Sequence, residues 1–416
     1  MAQLTNDCFA FGGELMRLEN AVRLMAQRVA PVAGTELVPL EEADGRVLAE
    51  DVIATVDLPP FDNSAVDGYA VRHDDLSAGG DSRLPIAGRV AAGAAPEGLA
   101  TTGQAVRIFT GAPLPTGADT VFMQEDVRVE DGLASLPQGL ERGANRRLAG
   151  EDLPKGGNAL PAGRRLSARE VGLLAALGIP AVRVRQRLRV ALFSTGNEVV
   201  APGQPLTPAR LYDANRFMLG ALLRRAGCIV TDLGILPDAR QAVGHALAGA
   251  AGGHDLLLTS GGVSAGDEDH VKAAVEQDGS LAFWRVGIKP GRPVAMGVVQ
   301  GTPFIGLPGN PVAAFVTFSF LARPLIAQLG GESYLPPLPV PVTCGFGHRK
   351  KAGRREFVRV RLAEQDGAVL ALKHPQDGAG VVTSLTATDG LVVLPEEITA
   401  VAPGDRIGFL PYGVLS

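Results

Sequence analysis

The chain has 416 residues, of which 46% are hydrophobic and 20% are charged, a composition typical of folded globular proteins and unlike that of disordered chains. Since a domain spans about 150 residues, more than one domain is expected. The net charge of −5 and the 5% content of aromatic residues exclude a basic or base-stacking surface for nucleic acid. We therefore predict no nucleic-acid partner.

The cysteines and the N-terminus bear on the cellular compartment. The three cysteines lie far apart in the sequence, so neither a disulfide framework nor a zinc motif is predicted. A reduced, cytoplasmic setting is the simplest interpretation. The N-terminus carries several charges and has no signal-peptide pattern. The longest apolar stretch, 312–329, is interrupted by Arg323 and Pro324, so we expect no membrane span.

The first elements are a helix and a small β domain. Apolar residues recur at helical spacing over residues 14–29 and predict a helix, and two short strands are expected over 35–53. Between Pro59 and about Asn145 the glycines recur frequently with short β-prone runs between them. No helical period lasts more than a turn there, which predicts a small β domain.

A second helix follows this β domain. Ser167 and Glu170 form the Ser-x-x-Glu pattern of a capping box, which predicts a helix over residues 167–178. We expect this helix to pack against the first helix, with the β domain inserted between them.

Strands and helices alternate over residues 188–330, which predicts a parallel, doubly wound sheet. The strands are expected at 188–193, 228–233, 255–259, 281–286, 294–299 and 304–307, and the helices at 215–226, 238–251, 269–277 and 311–329. A Pro-rich linker follows over 335–341. Short strands and turns without a helix predict a compact β domain over 341–416.

Glycine-rich and charged loops follow the predicted strands. Ligands bind beyond the carboxyl ends of the strands in an open α/β sheet. Any one loop could merely form a turn or cap a helix, but five loops at one edge favour a binding site. They are Ser194–Glu198, Gly234–Asp238, Ser260–Asp269, Lys289–Pro293 and Leu307–Pro311.

The glycines and cations of these loops suit an anion. Gly261 and Gly262 let backbone amides approach a ligand closely, as phosphate sites require. Lys289 and Arg292 add positive charge for an oxyanion. The chain has neither a Gly-Lys-Ser/Thr phosphate loop nor a G-x-G-x-x-G pattern, so it is not an ordinary ATPase or dehydrogenase.

The acids of the same loops, Glu198, Asp238 and Asp269, would repel a bare anion. A divalent cation between carboxylates and phosphate removes this conflict, and Mg²⁺ is the usual choice. The loops therefore predict a metal-assisted site for a phosphorylated ligand.

Residues 262–266 match the G-x-S-x-G nucleophile elbow of α/β-hydrolases. The elbow should follow its strand directly, but Ser260 and Gly261 intervene, and acids crowd the place where an oxyanion would develop. A serine hydrolase is therefore disfavoured, and Ser264 is assigned to ligand binding instead.

Three further charged segments have both a simple and a functional interpretation. Asp62 and Asp67 lie in a polar loop that could be an Asx turn. The charged residues of segment 146–152 could form a solvated linker. The basic run 348–355 could be a solvated hairpin or contribute to binding an anionic ligand.

Eight segments in order resemble the MoeA family of molybdopterin molybdenumtransferases, which includes the E domain of gephyrin. They are PPFDNSAVDGYAVR, RIFTGAPLPTGADTVFMQED, RRLAGEDL, VALFSTGNE, YDANR, LTSGGVSAGDEDH, FWRVGIKPGRP and GLPGNPVAA. They run from about residue 59 to residue 314, and the flanking sequences fit as well, so the resemblance covers nearly the whole chain.

The resemblance implies an α/β multidomain architecture and a homodimer whose site is completed by the second subunit. The implied domains are an elongated α-rich domain over 1–53 and 146–186, an inserted β domain over 54–145, a doubly wound molybdopterin-binding α/β domain over 187–332, and a C-terminal β-barrel domain over 337–416.

The implied activity is the insertion of molybdate into adenylylated molybdopterin with release of AMP, assisted by Mg²⁺. A molybdopterin adenylyltransferase would be the upstream partner. A non-catalytic molybdopterin-binding scaffold and a nucleotide pyrophosphatase that shares only the α/β domain are the alternatives. The inserted segment with its acids argues against the pyrophosphatase.

The loop composition and the resemblance together assign the site residues. Catalytic roles are expected for Asp67, Asp238 and Asp269, and metal binding for Glu198 and Asp269. Substrate binding is expected for Thr110, Asp152, Glu198, Gly261, Gly262, Ser264, Arg285, Lys289, Arg292, Pro308, Pro311 and Arg359. Some family members have Lys where Arg285 stands, and segment 377–380 lacks a serine that some members have there.

Overall fold

The structure is a computed structural model and describes residues 15–96, 98–99, 101–262 and 270–415. The α/β domain is built on a six-stranded sheet. Along the sheet the strands are Ile229–Leu236, Arg189–Thr195, Leu256–Ser260, Thr302–Leu307, Pro293–Val299 and Gly279–Arg285. The first four are mutually parallel, so their carboxyl ends share one edge, as the sequence predicts.

One strand departs from the predicted parallel arrangement. Pro293–Val299 runs antiparallel to both of its neighbours. Only Gln300 and Gly301 connect it to the next strand, both with positive φ (47° and 88°), as in a tight hairpin. A connection this short can only reverse the chain. The start of this strand therefore lies at the carboxyl edge of the parallel strands and brings the loop 289–293 to that edge.

Helices cover both faces of the sheet, which makes it doubly wound. Successive residues of a strand point to opposite faces. Val190 and Leu192 join one core with the helices Asn215–Arg225 and Pro311–Leu329. Ala191 and Phe193 join a second core. The helices on that second face are Arg240–Ala251 and His270–Asp278.

The helix over 311–329 lies in the core of the α/β domain. It is long and apolar enough to cross a bilayer, but 83% of it is buried inside the protein. It continues through Pro324 because the turn before it, Phe318–Ala322, is a π-helix. Such a turn accommodates the missing hydrogen bond, since proline has no amide proton to donate. Burial identifies this segment as a core helix.

The first helix, Leu18–Arg28, does not pack as predicted. Its buried residues Leu18, Ala21 and Met25 belong to the core of the α/β domain. The helix 168–176 instead buries Leu174 against Val184 and its neighbours in a separate core. The expected contact between these two helices is wrong, because the apolar stripe of the first helix meets the end of the core helix 311–329.

Strands from both sides of the insertion close the domain that carries the second helix. Thr35–Pro39 pairs antiparallel with Ala181–Arg185, and Val52–Ile53 pairs antiparallel with Asn158–Leu160. The helix Ala168–Ala176 begins with the predicted capping box, in which the side chains of Ser167 and Glu170 each bind the backbone of the other residue. The capping box is therefore confirmed.

This capping box gives a pH-dependent prediction. Burial opposes the charged form of Glu170, but hydrogen bonds from Ser167 and Arg164 outweigh burial and lower its pKa to about 2 from an ordinary 4.5. The stabilisation is therefore present above pH 4.5 and lost as the pH falls toward 2. We expect Glu170→Gln to lower the free energy of unfolding by about 1–3 kcal/mol at pH 7.

Denaturant unfolding of the wild type and Glu170→Gln between pH 7 and pH 4 measures this effect. The difference between their free energies of unfolding should begin to shrink below pH 4.5. Glu50→Gln is the control, because the exposed Glu50 forms only a surface ion pair with Arg183. A loss of equal size at every pH would show that the charge of Glu170 is not its cause.

The inserted domain is a small β domain, as predicted, and it is built on one six-stranded sheet. Its strands, in order along the sheet, are Thr120–Met123, Gly68–Val71, Ala105–Ile108, Ser82–Val90, Leu133–Leu136 and Arg128–Glu130. The chain enters and leaves this domain side by side, because Asn63–Ser64 pairs with Arg146–Arg147.

The C-terminal domain is a closed barrel. Its five strands are Val340–Cys344, Arg355–Gln365, Ala368–Lys373, Gly390–Leu394 and Arg406–Pro411. Two short strands of the same domain, His348–Arg349 and Ala400–Val401, pair with each other in a separate sheet. The barrel closes because Gly390–Leu394 pairs with two strands. The prediction of no helix is wrong for the single turn Thr383–Thr386.

A short strand of the α/β domain extends this barrel sheet. Ile288–Lys289 pairs in parallel with Arg355–Gln365, with Lys289 opposite Glu356. The Arg355 amide donates a 2.7 Å hydrogen bond to the Gly287 carbonyl. The loop 289–293 is therefore held by the C-terminal domain as well as by its own sheet.

Candidate active-site cleft

A cleft of about 1050 Å³ lies at the carboxyl edge of the α/β sheet. All five predicted loops contribute to its lining, the loop 289–293 through Pro293 alone, together with the YDANR segment and two residues of the C-terminal domain. The lining includes Ser194, Thr195, Gly196, Glu198, Asp213, Asn215, Asp238, Gly261, Gly262, Pro293, Pro308, Asn310, Pro311, Gly380 and Val382. The predicted convergence of these loops is therefore observed.

Gly261 and Gly262 need to be glycine at the floor of this cleft. Both have positive φ, at 91° and 64°. A Cβ atom on Gly262 would lie 2.4 Å from a methyl group of Val271 and 2.8 Å from the hydroxyl of Thr195. Only a residue without a side chain fits there. The role of these glycines in holding a phosphate stays a prediction.

Glu198 and Asp238 bring negative charge to the same cleft. The Glu198 carboxylate folds over Gly196, where a Cβ atom would lie 2.7 Å from one of its oxygens. Among the residues that the structure describes, no group of three or more His, Cys, Asp or Glu side chains surrounds a common point. Asp269 and Ser264 lie outside the described residues, as does most of the G-x-S-x-G segment.

Asn215 is a cleft residue to which the sequence patterns assign no role. Its side-chain amide donates to the Ser260 hydroxyl at 2.8 Å and to the Gly309 carbonyl at 2.7 Å. It thereby joins the loop after the third strand to the loop before the core helix. The polar YDANR segment directly before an apolar helix is the signal that could have identified it.

A second cavity of about 250 Å³ lies between the α/β domain and the barrel. Its polar lining comes mainly from Lys289, Asn310, His348, Glu356, Arg359, His374 and Asp377. Pro293, Pro308 and Asn310 line both this cavity and the cleft. The cation-bearing cavity and the acidic cleft are therefore neighbours with a shared wall.

Lys289 is held at this cavity by an ion pair. Its ammonium lies 3.3 Å from Oε2 of Glu356, and 42% of the lysine side chain is exposed against 2% of the glutamate side chain. Burial alone would raise the pKa of Glu356, but the hydrogen bond from His348 and the charges of Lys289 and Arg354 lower it. Glu356 is therefore a buried, charged acceptor.

Arg359, a predicted substrate contact, is 5% exposed and holds a loop of its own domain. Its guanidinium donates to the carbonyls of Gly378 and Gln376 and to the hydroxyl of Ser384. Burial lowers its pKa. The same loop reaches the α/β domain, where the Ala379 carbonyl accepts the Val312 amide at 3.0 Å. Arg359 thus shapes one wall of the cavity.

The basic run 348–355 is not the solvated hairpin of its simpler interpretation. Arg354 pairs with Glu356, and Arg355 pairs with Glu396. Lys350 is 8% exposed, and its ammonium donates to three backbone carbonyls. The two arginines lie in the barrel because they pair with the buried acids Glu356 and Glu396. The sequence pattern did not reveal that these acids are buried.

Asp67 and Thr110 form a pair in the inserted domain. The amide and the hydroxyl of Thr110 each donate to Asp67 at 2.8 Å, and these bonds lower the pKa of the Asp67 carboxyl. Asp152 lies in the exposed segment that follows the domain. None of these three residues lines the cleft or the cavity of its own chain.

Segment 146–152 is tied down and is not a solvated linker. Arg146 pairs with Asp62, whose carboxylate also accepts the Ala149 amide at 2.8 Å. These contacts lower the pKa of Asp62.

Arg285, on the edge strand, and Arg292 are exposed and line neither cavity.

Sequence models of three families match successive parts of the chain. The MoeA N-terminal region (domains I and II) matches residues 16–178, a probable molybdopterin binding domain matches 191–328, and the MoeA C-terminal region (domain IV) matches 341–412.

Relatives of this chain are similar over nearly the same length. A molybdopterin molybdenumtransferase from Haemophilus influenzae is 37% identical over 96% of this chain and all of its own length. One from Nostoc is 37% identical over 90% of this chain and 88% of its own. A crystal structure of the molybdopterin biosynthesis MoeA protein from Pyrococcus horikoshii OT3 superposes with a TM-score of 0.80 at 29% identity, covering 96% of this chain and all of that one. The chain therefore belongs to the MoeA family of molybdopterin molybdenumtransferases.

Proposed function

We propose that the protein inserts molybdate into adenylylated molybdopterin and releases AMP. The observation that carries this proposal is the arrangement of the two cavities. A Gly-lined, acidic cleft suits a phosphorylated pterin, and a smaller cavity with the Lys289 ammonium suits an oxyanion. Their shared wall at Pro293, Pro308 and Asn310 would allow both substrates to be bound side by side.

In this proposal each group of residues has a distinct task. The backbone at Gly261 and Gly262 holds the ligand phosphates. Lys289 binds molybdate. Asp238 in the cleft is the candidate catalytic acid of the α/β domain, and Pro308 and Pro311 stiffen the loop between the two cavities. A pyrophosphatase that shares only the α/β domain does not account for the matches over residues 16–178 and 341–412.

The donor groups of the cleft suit Mg²⁺. Mg²⁺ is usually held by one or two carboxylates together with substrate phosphates and water. Glu198 and Asp238 provide carboxylates in the cleft, and the ligand phosphates would supply the other oxygens. We propose Glu198 and Asp269 as the metal-binding residues. When bound, Mg²⁺ would neutralise charge on the phosphates.

The metal assignment gives a direct prediction. Glu198→Gln removes one anionic ligand and should raise the Mg²⁺ concentration for half-maximal AMP release by about tenfold or more. Titration of Mg²⁺ at saturating molybdate measures this concentration. Glu36→Gln, remote from the cleft and paired with Arg46, is the control, and an unchanged Mg²⁺ requirement in Glu198→Gln would contradict the assignment.

We propose a cytoplasmic homodimer in which Asp67, Thr110 and Asp152 complete the cleft of the partner chain. The support is that these residues line no cavity of their own chain. The four domains would have the boundaries inferred from the sequence, namely 1–53 with 146–186, 54–145, 187–332 and 337–416, except that the helix Leu18–Arg28 packs in the core of the α/β domain. An adenylyltransferase that makes adenylylated molybdopterin would act immediately upstream.

A further inference from the structure

We infer that Glu356 is a built-in competitor of the oxyanion at Lys289 and keeps oxyanion binding weak enough for transfer. The inference rests on the proposed function of the Lys289 cavity and adds a specificity-determining residue to it. It is carried by the contacts of the Glu356 carboxylate, by its burial and by its place in the cavity wall.

The backbone fixes the pairing of the two residues. Lys289 stands opposite Glu356 in the short parallel pairing between segment 288–289 and the barrel strand 355–365. Lys289 and Glu356 both line the cavity. The Glu356 carboxylate therefore occupies the place beside the Lys289 ammonium that an incoming oxyanion would take.

The two carboxylate oxygens have different partners. Oε1 accepts from the Arg354 side chain at 2.6 and 2.8 Å. Oε2 is shared by Nε2 of His348 at 3.0 Å and Nζ of Lys289 at 3.3 Å. The contact with Lys289 is the longest of these, so Lys289 is the partner that an oxyanion can most easily withdraw.

His348 takes part in this network as a hydrogen-bond donor and adds no positive charge beside Glu356. Its Nδ1 lies 3.2 Å from the Lys373 ammonium, which also donates to Asp377 at 2.7 Å. An ammonium can only donate, so Nδ1 must accept and the imidazole is the neutral Nε2–H form. It therefore donates to Glu356 without charge, and Arg354 and Lys289 are the cations in direct contact with the carboxylate.

Two opposing effects follow when the charge of Glu356 is removed. Lys289 loses a partner that limits its conformations, which weakens binding by a small factor. The cavity also loses a negative charge beside the position of a dianion, which strengthens binding by more, because Coulomb energies at a few ångströms in a partly buried site exceed the cost of ordering one side chain. We expect the charge effect to win.

The experiment is molybdate binding by calorimetry to the full-length protein at constant ionic strength. Glu356→Gln should bind molybdate about tenfold more tightly than the wild type, equivalent to about 1.4 kcal/mol. In AMP release, both the half-saturating molybdate concentration and the maximal rate should fall, because a tightly held oxyanion is transferred slowly. Damage to the fold alone would not tighten binding.

Glu396→Gln is the matched control. Glu396 is 4% exposed and pairs with Arg355, in the same barrel, and its variant should bind molybdate within about twofold of the wild type. If Glu356→Gln does not fold, molybdate binding by Glu356→Asp tests the competitor role instead. This variant retracts the carboxylate by one methylene and should tighten binding by a smaller factor of about two.

The outcomes separate this inference from the proposed function. Equal or weaker molybdate binding in a folded Glu356 variant overturns the competitor role while leaving the cavity as an oxyanion site. If the wild type does not bind molybdate, or Lys289→Ala binds it equally well, the proposed function of the cavity fails and the competitor role fails with it.

Discussion

Replacing Lys289 with alanine is expected to raise the half-saturating molybdate concentration for AMP release by about 30- to 100-fold, equivalent to about 2–3 kcal/mol. The reason is that Lys289 presents a partly exposed ammonium to a small cavity. A compact ammonium on a proline-flanked loop suits a small hard oxyanion. Binding of adenylylated molybdopterin should remain within about twofold of the wild type.

Lys351→Ala is the matched control, because Lys351 is an exposed lysine of the neighbouring barrel and lines neither cavity. Its molybdate dependence should be unchanged. The opposite pattern for Lys289→Ala, with weaker pterin binding and an unchanged molybdate dependence, would assign the lysine to the phosphates. A change below about 1 kcal/mol in both would make it an ordinary loop lysine.

Mixing two inactive variants is expected to restore activity if the site is shared between subunits. Asp67→Asn removes a carboxylate that two hydrogen bonds from Thr110 hold in the inserted domain, and Asp238→Asn alters the cleft. A heterodimer of the two variants contains one cleft with an intact Asp238 facing an intact Asp67. It should therefore recover about half of the wild-type rate per dimer.

Co-expression with two affinity tags isolates the heterodimer for this measurement. The control is a heterodimer in which one chain carries both substitutions and the other chain is wild type, since both of its sites are then incomplete. Activity in that control equal to activity in the mixed variants would contradict sharing. A monomeric protein in solution would contradict it as well.

Local patterns predict much of this fold. The alternation of strands and helices over 188–330 indicates a doubly wound sheet, and the Ser167 and Glu170 pattern indicates the start of a helix. The reversed strand Pro293–Val299 was missed because it is as apolar as its parallel neighbours. Only the two-residue turn at Gln300 and Gly301 distinguishes it.

The candidate site is predictable only in part. The loops of the cleft follow from the rule that ligands bind at the carboxyl edge. The contact between Lys289 and Glu356 joins residues 67 positions apart, and a buried acid in a β strand has no local signature. The packing of the first helix on the α/β core likewise depends on long-range contacts. Asp269 remains a prediction, since it lies outside the described residues.

Release of AMP from adenylylated molybdopterin, measured against molybdate concentration with the purified wild-type protein and Mg²⁺, decides whether the protein inserts molybdenum. We expect a saturable, molybdate-dependent release that stops when Mg²⁺ is chelated. A non-catalytic scaffold would bind the pterin without releasing AMP. A rate that is flat across all molybdate concentrations would contradict the assignment of the protein as a molybdenum-inserting enzyme.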